Sequence, residues 1–292
     1  MKNSKASAIA GLLTGALVWG LIWYPYRVLE ARGISATNAT LASYAVALVL
    51  SLVLFRRELP GLLRADVLLV AIAVTSGWTN LAYVLGMVHG EVMQVLLLFY
   101  LAPLWTVFFA RALLGERAGA LGLLIVALSL CGAGLMLWRP GLRLPLPDGA
   151  AEWFGLTAGV TFALANVLIR KAHAHSIRLK AVAVFTGVVL VAGAMLPFEG
   201  GLEVPSAPAA GTLVLLLGIG VVLLVANLAV QHGLTRVSSN QAIVILLSEL
   251  IVAAASAYLL AGESMHWNQW IGGTLIVAAT LLSGRLGENA SS

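Results

Sequence analysis

Charged side chains are scarce in this chain: Lys, Arg, Asp and Glu make up 10% of its 292 residues, against 61% hydrophobic. Water-exposed domains carry about 25% charged residues, so the chain lacks the charge to cover an aqueous surface. Cysteine is nearly absent. The single Cys131 sits inside an apolar run, which rules out an internal disulfide and leaves the redox compartment undetermined. Missing too are the H-E-x-x-H, G-x-S-x-G and phosphate-loop patterns of common enzymes. The five histidines, His89, His173, His175, His232 and His266, fall at or beyond predicted helix ends, with no metal-like spacing to carboxylates. No catalytic residue, metal or cofactor is therefore expected. Short alternating segments, the mark of a transmembrane barrel, are not seen either.

What the chain has in quantity is apolar runs of about 20 residues, the length that crosses the bilayer core as a helix. The pattern predicts an all-α membrane protein with ten transmembrane helices: Ala6–Leu29, Thr37–Phe55, Val67–Val88, Val92–Leu114, Ala118–Trp138, Trp153–Ala172, Leu179–Pro197, Pro208–His232, Ser239–Leu260 and Trp267–Leu286. The net charge of +5 is not a nucleic-acid signal, because the basic residues lie between apolar segments, as in loops facing anionic lipid. With the amino terminus inside, every Lys and Arg except Arg27, Arg32, Arg139 and Arg143 falls on the cytoplasmic side. Both termini are expected there.

The chain is also written twice. Asn80-Leu81-Ala82 returns as Asn227-Leu228-Ala229, Gly86 as Gly233, Gln94 as Gln241 and Gly115-Glu116 as Gly262-Glu263, each pair 147 positions apart. Gapless self-similarity points to duplication. The Pro- and Gly-rich stretch Arg139–Glu152 separates the copies, dividing the chain into residues 1–147 and 148–292. Each copy has an odd number of helices, five, so the second must be inserted upside down. Two inverted five-helix repeats around a central cavity are a recurring plan of secondary transporters.

These features resemble the drug/metabolite transporter superfamily, in its ten-helix EamA-type branch. The resemblance is carried by the two five-helix halves, Trp19-Gly20, the run Asn80-Leu81-Ala82-Tyr83 through Gly86, Leu101-Ala102-Pro103-Leu104 and Gly115-Glu116. Within the branch the chain is most similar to the YddG type of exporter of aromatic and other neutral amino acids. The resemblance implies export across the bacterial inner membrane by alternating access, with a neutral or aromatic amino acid as partner and the lipid bilayer as surroundings.

The residues can be weighed beside that resemblance. No Lys or Arg lies in the middle of a predicted helix, which disfavours phosphate-bearing substrates, since those need cationic partners in low dielectric. Glu249 is the exception among the charges. It falls at bilayer depth, where an ionisable side chain costs about 2.5–3.5 kcal/mol and defaults to a functional reading. It either meets a substrate ammonium or a proton, or ties its helix to a neighbour. Asn80, Asn227, Asn166, Gln231 and Ser248 are candidates for the polar end of a zwitterion, because amides both donate and accept; packing explains them equally. Trp19, Trp23, Trp78, Tyr83, Tyr100 and Phe162 are candidates for stacking and cation–π contact with the substrate, the alternatives being packing or lipid. Trp19 and Trp23, one turn apart, are expected on one face. Pro25 and Pro103 are expected to kink their helices, and Leu250 stands where the second copy would repeat Pro103, so that kink is expected in one half alone. The rivals are a broader metabolite or drug exporter and, from another class, a membrane enzyme or assembly protein handling lipid-linked substrates. Oligomeric state is left open.

Overall fold

The computed structural model describes residues 2–116, 119–138, 146–199, 201, 210–234, 236, 242 and 245–289. The expectations placed on Arg117, Arg139, Arg143, Gln241 and the start of the helix at Ser239 lie outside them. Among the described residues there is no strand. The helices are α1 (Lys2–Leu21), α2 (Trp23–Ala31), α3 (Ala36–Leu54), α4 (Leu59–Leu63), α5 (Val67–His89), α6 (Val92–Phe99), α7 (Ala102–Leu114), α8 (Ala120–Met136), α9 (Ala150–Lys171), α10 (Ile177–Met195), α11 (Ala210–Leu234), α12 (Ser248–Ser256) and α13 (Trp267–Asn289). Among the described residues, 7 helices, taken with their continuations, are long and apolar enough to cross a membrane, and Ala120–Met136 and Ser248–Ala261 are shorter apolar helices.

Helix boundaries follow from local chemistry. Ser35, Asp66 and Ser176 stand just before α3, α5 and α10, and each side chain accepts a backbone N–H of the first turn, from Asn38, Leu69 and Leu179. Such caps satisfy donors that a helix start leaves orphaned. Asp66 also meets His175 at 3.0 Å, and the Leu69 N–H followed by His175 holds its carboxyl below the usual carboxylate range.

The expected kinks appear as breaks. Ile22 separates α1 from α2 ahead of Pro25, and Tyr100-Leu101 separates α6 from α7 ahead of Pro103. A proline cannot donate to the carbonyl four residues before it, which frees the Phe99 carbonyl. Gly159 of α9 packs on that atom; a Cβ there would lie 2.6 Å from it. The kink is not confined to the first half, however. A turn at Leu247, 147 positions beyond Tyr100, precedes α12 without any proline, so packing of the bundle sets this break.

Helix pairing repeats itself. α5 packs on α9 and α10, while α11 packs on α1 and α3; α6 and α7 pack on α9, while α12 packs on α1; α8 packs on α13. Exchanging the first half for the second maps this set of pairs onto itself. Glycines make the crossings close: a Cβ on Gly187 would stand 1.9 Å from the Ala73 carbonyl, and Gly132 and Gly272 meet across the α8–α13 seam. Small residues at such seams let membrane helices approach closely.

Candidate functional site

Tyr100 and Leu247, which mark the breaks before α7 and α12, both face the middle of the bundle. A cavity of about 900 Å³ lies there, walled by α1, α3, α5, α6, α7, α9, α10, α11, α12 and α13. α5 supplies Ser76, Thr79, Asn80 and Tyr83, a spacing that puts all four on one helical face. The cavity reaches Glu116 and Arg170 at one end of the bundle, and at the other it stops at Trp19, Tyr83, Tyr100 and Glu249.

The turn at Leu247 places Glu249 in the first turn of α12. There its carboxylate faces two phenols: Tyr83 Oη donates to Oε1 at 3.4 Å and Tyr100 Oη donates to Oε2 at 3.2 Å. Beside this group is an aromatic cluster centred on Phe99, whose ring lies 5.3 Å from Tyr83, 5.9 Å from Tyr100 and 5.0 Å from Phe162. Across the cavity Tyr44 and Phe185 meet at 6.2 Å. The arrangement offers one anionic acceptor against several ring faces and edges, which suits a compact solute with an apolar or aromatic body and a cationic or donor head.

The two duplicated asparagines differ in what they do. Asn80 accepts from Tyr44 Oη at 2.6 Å and donates to the Ser76 carbonyl at 2.8 Å. Its counterpart Asn227 keeps a buried Oδ1 with no partner. A buried carbonyl left unpaired costs about 1–3 kcal/mol; Asn227 lines the cavity, as do the amides of Asn166 and Gln231.

Of the residues singled out in the sequence, Trp19, Asn80, Tyr83, Tyr100, Phe162, Asn166, Asn227, Gln231 and Glu249 line the cavity. Three do not. Trp23 is buried away from it and donates to Ser256 Oγ at 3.1 Å, because the break at Ile22 takes it off the face of Trp19. Trp78 lies off the α5 stripe and packs on Phe154 at 6.3 Å. Ser248 turns its hydroxyl back to the Ile245 carbonyl at 2.6 Å. Sequence reasoning missed Tyr44 and Phe185, which sit nine positions after the cap serines Ser35 and Ser176. Arg170, one of the basic residues expected on the cytoplasmic side, forms an ion pair with Glu116 at the cavity mouth. Among the described residues no group of His, Cys, Asp and Glu could hold a metal ion.

Comparison with known proteins bears on this geometry. Residues 6–138 and 149–285 match the EamA-like transporter family. A protein of Archaeoglobus fulgidus described as an uncharacterized transporter is 28% identical over 223 residues, covering 76% of this chain and 78% of its own. A solved crystal structure superposes with a TM-score of 0.59 at 17% identity, covering 98% of this chain and 99% of the other. At that identity it speaks for the fold alone.

Proposed function

We propose that this chain, which belongs to the EamA-like transporter family and is a multi-pass membrane protein, is a secondary exporter of neutral, aromatic amino acids. The observation that carries the reading is the cavity, with one carboxylate at bilayer depth set against the Phe99 ring cluster. Its volume falls within the range of about 300–1,000 Å³ typical of small-molecule sites. In this reading Glu249 accepts the substrate ammonium, Asn227 takes a donor, and Phe99, Tyr100 and Phe162 stack on the side chain.

We infer ten spans arranged as two inverted repeats, residues 1–147 and 148–292. Support comes from the duplicated sequence and from a helix-pairing pattern that survives exchange of the halves. Placed in the bacterial inner membrane with both termini cytoplasmic, as the basic residues favour, the cavity mouth at Glu116 faces the cytoplasm. The conformation is then the one that loads substrate for export.

A second reading is favoured by the charge at the site. Glu249 has no cationic side chain bonded to it among the described residues, so an aromatic amine would find an anion and no competing need for a carboxylate partner. Isothermal titration of the purified protein with phenylalanine, phenethylamine and 3-phenylpropionate separates the two. Binding of phenylalanine above both relatives supports the amino-acid reading. Tighter binding of phenethylamine supports the amine carrier, and binding of none of the three sinks both.

A further inference from the structure

We propose that the Arg27–Glu263 ion pair is the latch that holds the cavity shut at the end opposite its mouth, so that releasing it opens that end. The inference rests on the reading of this chain as an alternating-access carrier.

It begins from a feature that the chain carries twice. In each half a Gly-Glu step follows a span, and its carboxylate meets an arginine near the end of the other half's first span. Glu116 meets Arg170, and Glu263 meets Arg27. The two pairs differ in setting. Arg170 and Glu116 line the cavity and their side chains are 48% and 39% exposed. Arg27 and Glu263 do not line it, and their exposures are 24% and 18%.

The less exposed pair is also the more heavily bonded. Arg27 donates to Glu263 Oε1 from both terminal nitrogens at 3.1 Å, from Nε to the Met87 carbonyl at 3.1 Å, and to the Gly90 carbonyl. Its guanidinium also lies 4.7 Å from the Trp23 ring. Glu263 Oε2 in turn accepts the Val92 N–H at 2.8 Å. Met87 and Gly90 end α5, and Val92 begins α6, whose own preceding residue Glu91 makes no side-chain cap. The carbonyls that end one helix and an N–H that begins the next are groups a helix leaves without partners. Here one arginine caps the first and one glutamate caps the second, from α2 and from the turn after α12.

Four elements are thus joined at one point, by charge-assisted bonds that are stronger than neutral ones. They cannot separate without uncapping both helix ends at once. The first span of one half and the end of the fourth helix of the other meet there, on the loop that joins α5 to α6. At the mouth, by contrast, Arg170 makes one side-chain bond among the described residues, to Glu116.

The test reads access to the cavity rather than transport. In a Cys131→Ser background, Thr106→Cys on α7 places a thiol in the cavity wall, probed with a membrane-impermeant maleimide in right-side-out and everted vesicles. The latched protein is expected to label from one side only. Glu263→Gln, which keeps the shape and removes the charge, should raise labelling from the other side about tenfold. Arg27→Lys, which keeps the charge and loses the fork, should shift access the same way, and stands in if Glu263→Gln does not fold. Glu116→Gln should not. Unchanged labelling in both latch variants overturns the proposal, as does an equal rise in Glu116→Gln, which would mean general loosening. Equal labelling from both sides before any latch change also overturns it, because the far end is then not held shut; labelling from neither side in any variant contradicts the carrier reading instead.

Discussion

Gly115 and Gly262 stand 147 positions apart and hold the same left-handed backbone, with φ of 72° and 67°. Each ends an apolar helix, and the residue after it closes the same bond: Glu116 N–H to the Ala110 carbonyl at 3.3 Å, Glu263 N–H to the Ala257 carbonyl at 3.1 Å. Ala110 and Ala257 are themselves 147 apart. A helix end of this kind needs a residue that tolerates positive φ, and the chain places a glycine there in both copies, aiming a glutamate at an arginine each time.

Replacing Gly262 with alanine is expected to cost about 1 kcal/mol through the backbone alone, since a Cβ there meets nothing within 4 Å. Asparagine, which enters the left-handed region more readily, should cost less. Thermal unfolding in detergent of Gly262→Ala and Gly262→Asn checks the order.

Gly187→Ala should be far worse than Gly193→Ala. At Gly187 the added methyl would stand 1.9 Å from the Ala73 carbonyl, so α5 and α10 must separate, whereas at Gly193 it meets nothing within 4 Å. Overpacking of a tight seam costs typically 1–3 kcal/mol or more. Yields of monodisperse protein for the two variants give the comparison.

Glu249→Gln is expected to slow transport at least about tenfold, because the loss of a charged hydrogen-bond acceptor is worth about 1.5–3 kcal/mol. Tyr100→Phe, which leaves the carboxylate in place and removes one donor to it at 3.2 Å, should have a smaller effect. If Glu249 carries a coupling proton, Glu249→Gln also removes the pH dependence of transport; retained dependence would exclude that role.

Stability should fall in acid through Asp66. Its carboxyl is lowered in the folded protein by the Leu69 N–H and by His175. A lowered carboxylate contributes stability that is complete above its unfolded pKa, near 3.9, and is lost as pH falls through the folded value. Melting temperature against pH should therefore decline below about pH 4, and less steeply in Asp66→Asn.

Much of this molecule can be read from its sequence, for reasons that particular residues make plain. The spans are legible because hydrocarbon demands length and apolarity, and the α6–α7 break because Pro103 cannot donate. The break at Leu247 is not legible, since no residue there forbids helix; the bundle imposes it. Glu249 stands out because charge is costly at depth. That Trp23 and Trp78 fall off the cavity wall is not legible, because a membrane helix is apolar all round and its periodicity does not mark the cavity side. The pairing of Arg27 with Glu263, 236 positions apart, is tertiary information that end-of-helix charges do not carry.

In the proposed function the Phe99 cluster and Glu249 receive an aromatic amino acid for transport. The most direct measurement is uptake of labelled phenylalanine and threonine into liposomes holding the purified protein, with and without a pH gradient, for wild type and Phe162→Ala. Phenylalanine uptake is expected to saturate, to be competed by other neutral amino acids, and to fall more than threonine uptake in Phe162→Ala, as an exporter of aromatic amino acids requires. Folded wild-type protein that takes up neither amino acid would contradict the proposed function.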